Sequence, residues 1–409
     1  MDSNTIEEFL KDLVKRICEI GKEYQLKPDL REVEPFQHFL DKNGEINYSD
    51  LDRRDGKFTR REILARYLVL MVVLDQGPDI IGVRKLLNGV ITNLYREEIR
   101  ILHRPLDFFK ELGISIDTLI EQHESVKKIR AETWAKLNNT NPSKYNLFFA
   151  QSQRGIVPIK QVLDYSIHRW GTPLAMYLLL EKDLEKENKQ SIEPLIEYLE
   201  SYDSAELMAR GLKDNERYGL GSAIGDKACH LFAKLYVNRL NLKKRSDTGW
   251  TGISYEVPFD SNAGRVLFRC GFLTKIGTIK DYIKWDVIQK GRGKGKKDYI
   301  RVTNLRGKKI SINDENLKQE YDDLVINYLK INKRPPRNIE IQHIPNLLIK
   351  IINKEENVNY SIADFDDGLI YIGTNFCFNH DSPNCKKCPI RNLCIGYNEN
   401  NSLIKNYRT

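Results

Sequence analysis

A mostly α fold with one small β-hairpin is what this sequence predicts, on three observations. Apolar residues recur three and four positions apart through most of the 409 residues, which is the spacing of one helix face. Strand-like alternation is almost absent; its best instance is 299–312 (YIRVTNLRGKKISI), which alternates on both sides of Asn304–Gly307. Breaks such as Asp75-Gln76-Gly77-Pro78 and Pro335-Pro336 separate the helical stretches.

The first helix is expected at 5–23, with Phe9, Leu10, Leu13, Val14, Ile17 and Ile20 on one face. Residues 24–58 read as loop. A buried helix follows from Thr59 to Leu74, opened by the capping-box pair Thr59 and Glu62. After the break, a helix runs from Asp79, as N-cap, to Tyr95. Further helices are expected at 106–112, 116–137, 157–170, 172–184 and 192–202, with another opening at Asp203-Ser204. Gly219, Gly221 and Gly225 then punctuate a short hairpin between two helices, the second with Ala228, Leu231, Phe232, Leu235 and Tyr236 on its apolar face. Asp260 precedes a helix that turns Val266, Leu267 and Cys270 inward. Helical pattern returns at 315–331 and 341–352, and 365–376 leads into the last cysteines.

Composition narrows the setting. The longest apolar run, Tyr67 to Leu74, is far too short to span a bilayer. The acidic, amphipathic start lacks the basic and apolar regions of a signal peptide. A cytoplasmic protein with no membrane partner is expected, nucleoid-associated if bacterial. Net charge is +8, and Lys275 to Lys309 alone holds 12 Lys/Arg against 3 Asp, a local balance of +9. Such density points to a polyanion, or to a solvated loop.

Three features carry chemistry. The Gly-rich hairpin presents backbone N–H groups at a helix N-terminus, where an anion is favoured. Lys227 lies in the first turn of the second helix, where the helix dipole disfavours an ammonium and favours a nucleophilic amine; a surface lysine in an ordinary helical hairpin is the alternative. Asp260 is an N-cap whose carboxylate could also stabilise a developing cation. Finally, Cys377, Cys385, Cys388 and Cys394 are spaced C-x7-C-x2-C-x5-C. Four thiolates this close suit zinc or an iron–sulfur cluster, and a reducing compartment disfavours the third reading, two disulfides. Cys18, Cys229 and Cys270 read as core thiols and His230 as a packed or solvent-facing histidine, while Tyr282 and Trp285 among lysines could stack on DNA or be partly buried against the added hairpin.

The order Gly225-Asp226-Lys227-Ala228, then VPFDSNAGRVLFR, then FDDGLIYIGTNFC and the cysteines resembles the helix–hairpin–helix DNA glycosylases, most of all the endonuclease III branch. LVLMVVLDQGPDIIGVRKLL resembles that family's early buried helix with its Gln-containing turn. The resemblance covers about 60–96, 205–275 and 360–397. It implies a two-domain helical glycosylase fold: a helical barrel domain at 60–240, and an iron–sulfur domain of 1–59 plus 241–409 with a basic insertion at about 275–312. By the same resemblance Lys227 attacks the sugar, Asp260 supports base departure, Gln76 probes the gap left by the flipped base, and Gly221 and Gly225 hold a phosphate. Cys377, Cys385, Cys388 and Cys394 would hold a [4Fe–4S] cluster, with Lys386, Lys387 and Arg391 on DNA phosphates. The implied partner is double-stranded DNA bearing a lesion or modified base, met by a monomer with glycosylase and AP lyase activity.

The sequence departs from the family pattern in several places. Its first cysteine interval is one residue longer, and Ala223 replaces the first hairpin glycine. Lys227 and Asp260 stand 33 positions apart, and 97–204 and 275–312 are additions. The additions open the substrate to oxidised bases or to bulky modified bases of the phage type, and a role in phage defence. The alternative function is a non-catalytic DNA-binding module that keeps the hairpin and the cluster.

Overall fold

The computed structural model describes residues 3–74, 80–111, 115, 125–129, 159–251, 253–292, 298–302, 305, 308, 319, 330–333, 341–378 and 383–398. Over these the chain is mostly helical. Helix α1 spans Ser3–Glu23, followed by a two-residue antiparallel pair, β1 (Arg54–Asp55) with β2 (Phe58–Thr59). Next come α2 (Arg60–Leu74), α3 (Ile80–Arg96), α4 (Pro105–Glu111), α5 (Ile159–Lys186), α6 (Pro194–Glu200), α7 (Ala205–Asp214) and α8 (Asp226–Ala233). The C-terminal part holds α9 (Ser261–Arg269), α10 (Phe272–Ile276), α11 (Ile279–Lys284), the hairpin β3 (Ile288–Arg292) and β4 (Asp298–Val302), α12 (Ile344–Glu356), α13 (Ile362–Asn375) and α14 (Ile395–Asn398).

Two compact units divide the chain: 27–246, and 1–26 with 247–409. The first begins well before the boundary expected at residue 60. Polar ties explain why 27–59 joins it. Asp50 and Asp52 pair with Arg60 and Arg61 at the start of α2 (3.3 and 3.1 Å), and the Asp29 carbonyl accepts from Asn88 on α3 (3.0 Å). The loop therefore caps the helices it precedes.

In this unit α2 is the central element, buried on all sides. It carries a charge into the core: Arg66 is fully buried and donates to Glu62 on its own helix (2.8 Å), to Glu181 on α5 (3.0 Å) and to the Leu102 carbonyl (3.1 Å). A buried guanidinium persists only when paired in this way. The Thr59 hydroxyl caps Glu62 N–H as expected (3.2 Å), but the capping box is not reciprocal. The Glu62 carboxylate turns instead to Leu195 N and Ile196 N, the open N–H groups of α6 (both 3.1 Å). The break expected between 170 and 172 is absent; α5 runs through it with Pro173 inside. The expected helix at 116–137 lies almost wholly outside the described residues, as do 315–331 apart from isolated positions.

In the other unit α1 lies on α13 at backbone distance. A Cβ on Gly21 would sit 1.8 Å from the Asp364 carbonyl oxygen, and one on Gly368 would sit 2.0 Å from that of Ile17. Only glycine permits this approach. Helix α13 opens with a full capping box of Ser361 and Asp364, and its Asp367 accepts from Leu26 N where α1 ends (3.2 Å). The hairpin is also placed differently from the expectation. Tyr299–Val302 is its second strand, not its first, paired Ile288↔Val302 through Arg292↔Asp298. The two strands meet between Arg292 and Asp298, so Asn304–Gly307 does not join them.

Candidate functional site

Helices α7 and α8 form the helix–hairpin–helix. Ser204 caps α7 by accepting from Leu207 N (3.1 Å), and Gly225 is the residue before α8. Gly221 has φ +56, a left-handed conformation suited to glycine, and a Cβ at Gly221 or Gly225 would meet nothing within 4 Å. The hairpin backbone is thus open to a ligand at both glycines. Lys227 occupies the first turn of α8 and is half-buried. Lys213 on α7 pairs with Asp226 beside it (2.7 Å), tying the two helices together where the lysine stands.

His230 holds the same turn from below, a role its sequence context did not reveal. It is buried; Nδ1 donates to the Asp226 carbonyl (2.7 Å) and Nε2 faces the Glu206 carboxylate (2.9 Å), which also accepts from Arg210 (2.6 Å). Two acceptors for two ring nitrogens call for an imidazolium. Burial alone would lower the imidazole pKa, but Glu206, with help from Cys229, holds it well above 6.5. The contact therefore stabilises fully below pH 6.5 and its contribution is lost as pH rises through the higher folded-state value. Denaturant midpoints measured from pH 6 to 10 should fall on the alkaline side in the native protein and fall less steeply in His230→Gln.

Asp260 lies on the other unit. Its Oδ1 accepts from Asn262 N and Ala263 N (2.8 and 2.9 Å), so the N-cap expected from sequence is present. The helix it opens is held to the cysteine segment by two buried arginines, Arg265 and Arg269. Arg265 donates to the Cys377 and Gly373 carbonyls (2.5 and 2.8 Å); Arg269 donates to the Phe378 carbonyl (2.8 Å) and reaches the Cys377 sulfur (3.4 Å). Their four-residue spacing puts both on one helix face, and that spacing in GRVLFR was the signal available beforehand.

Cys377, Cys385, Cys388 and Cys394 all line one pocket, with Val266, Arg269 and Ile372 among its other walls; with its mouth it has about 360 Å³ of space. Cys270, read as a core thiol, is buried but lines the pocket too. Burial pushes the Cys388 thiol up to about 12 and the Cys394 thiol up to about 11, and neighbouring thiols add to both shifts. Burial and Cys377 also raise Cys385, while Arg269 opposes the rise. Thiolates crowded this way need a cationic centre to stay deprotonated. Among the described residues, no three of these sulfurs lie within 4.8 Å of one another. A single zinc at about 2.3 Å would set its four sulfurs about 3.8 Å apart.

Around this pocket Lys386, Lys387 and Arg391 are exposed, and Arg391 donates to the Lys386 carbonyl (2.7 Å). Gln76 and its neighbour Asp75 lie outside the described residues. Tyr282 does not offer a stacking face: it is fully buried, with its hydroxyl on the Leu273 carbonyl (2.5 Å). No described helix is long and apolar enough to cross a membrane. Comparison with models of known families, with curated proteins and with solved structures gives no match.

Proposed function

We propose that the protein is a DNA glycosylase with AP lyase activity, acting as a cytoplasmic monomer on double-stranded DNA that carries a damaged or modified base. The observation that carries the reading is Lys227 in the first turn of the helix behind an open glycine hairpin, in a chain that also holds four cysteines on one pocket. The open N–H groups of that hairpin suit an anion, and a phosphate of the DNA backbone is a natural ligand for them. An amine there faces the positive end of the helix dipole, which favours the uncharged nucleophile.

The chemistry follows from these groups. The target base is flipped out of the stack, at a cost of a few kcal/mol that is least for a damaged or mispaired base. Asp260, fixed by its cap bonds, stabilises positive charge on the sugar as the C1′–N bond lengthens. The Lys227 nitrogen bonds to C1′; the bonding electron pair leaves with the base, which takes up a proton. A proton lost from the amine and opening of the sugar ring give an imine. Loss of a C2′ proton then breaks the C3′–O bond and cuts the strand 3′ to the lesion. Gly221 and Gly225 position the backbone, with Gln76 proposed to fill the vacated space. A [4Fe–4S] cluster would be held by Cys377, Cys385, Cys388 and Cys394; with every protein ligand a cysteine its part would be structural, fixing the loop that carries Lys386, Lys387 and Arg391 toward phosphates.

Duplex oligonucleotides with oxidised, mismatched or glucosylated bases test the reading. Release of at least one of these bases, followed by strand cleavage, is expected. Tight binding with no release from any of them would identify a non-catalytic DNA-binding module instead.

A further inference from the structure

Helix α11 presents an unusual surface. Ile279 and Ile283 are 43% and 57% exposed, four residues apart, on the same face of a short helix. The other large apolar residues exposed among the described positions are single and mostly tyrosines, whose polar tips suit water. The helix is firmly mounted. Thr278 caps it by accepting from Asp281 N (3.2 Å), Tyr282 is fully buried beneath it, and Val287 just after it is buried as well. Tyr282 turns inward from the flank of this face and anchors the helix through its hydroxyl on the Leu273 carbonyl (2.5 Å), while Ile279 and Ile283 stay exposed. Lys280 and Lys284 beside them are exposed.

We infer that this face is a wedge against duplex DNA, with Ile279 and Ile283 entering the minor groove at a base step and Lys280 and Lys284 on the flanking phosphates. Isoleucine is among the apolar side chains that unstack and kink a duplex from the minor groove. Charge selects the occupant. The 275–309 segment carries +9 of the chain's net +8, so the remainder is close to −1. A second copy would bring the same positive face against this one and be repelled. A membrane surface would need a larger apolar face than two side chains on a six-residue helix. The inference rests on the DNA-binding part of the proposed function and not on its chemistry.

The test uses an undamaged 30-base-pair duplex with a dye at each end, reading bend by energy transfer and affinity by anisotropy across a salt series. Ile279→Ala/Ile283→Ala should abolish the bend and weaken binding about tenfold or more, with the salt slope unchanged. Lys280→Gln/Lys284→Gln should lower the magnitude of the salt slope by about 2. An isoleucine variant with native bend and affinity overturns the inference. So does one whose only loss is self-association in sedimentation or binding to anionic vesicles. Borohydride trapping on the same preparations separates the two claims: trapping lost with the bend retained counts against the chemistry alone, and trapping retained with no effect of the isoleucines counts against the wedge alone.

Discussion

Lys227→Ala is expected to abolish the covalent adduct trapped by borohydride on an abasic duplex. Single-turnover base release should fall by roughly 10³-fold or more, while affinity for the same duplex changes only a few-fold. The split follows from position. The side chain stands in the first turn of α8, and the hairpin glycines that face open space contribute backbone, which the substitution leaves intact. The helix should also survive, because alanine is the best helix former and the turn is still held by Lys213–Asp226 and by His230. Equal losses of binding and rate would mean that the lysine is a phosphate contact and not the nucleophile. Lys227→Arg sharpens the point: it keeps the charge and should restore affinity but not trapping.

Cys388→Ser should act on a different scale, that of folding. Protein purified without oxygen is expected to carry about four irons and a brown absorbance, both lost in the variant. The unit formed by 1–26 and 247–409 should then lose on the order of 5 kcal/mol or more, because metal-binding energy in small cysteine sites is folding energy. The structure says where the loss will be felt. Arg265 and Arg269 hold α9 to the cysteine segment, and Ile395 N donates to the Cys270 carbonyl (3.1 Å), so the segment packs against α9 at both ends. Limited proteolysis should open this unit first. A colourless native protein with one zinc per chain would replace the cluster by a zinc site.

How legible was this in the sequence? Helices with an apolar stripe were: α1, α3, α6, α7 and α9 lie within a few residues of where the pattern puts them, and the all-apolar run of α2 was as plain. The Asp260 cap was legible because Asp before a helical run has one local use. The remainder depended on tertiary partners. Helices were expected on either side of Gly171, yet α5 runs straight through, and the adjoining residues Thr172, Leu174 and Ala175 are buried. The hairpin was misplaced because alternation continues past Val302, and only pairing shows that Asp298–Val302 answers Ile288–Arg292. Gly21 and Gly368 carry no local turn signal; their need appears only when α1 lies on α13. At the site, Lys227 and the cysteine spacing were readable, whereas Glu206 beneath His230 was not, since they are 24 positions apart and join only in the fold. The exposed isoleucines of α11 were likewise invisible, because period alone cannot say which face a buried tyrosine takes.

The most direct test of the account is the site of the trapped adduct. Native protein is incubated with an abasic duplex, reduced with borohydride, digested and mapped by mass spectrometry. A deoxyribose-derived mass on the peptide bearing Lys227 is the predicted result. An adduct on any other lysine, or none from protein that still binds the duplex, would contradict it.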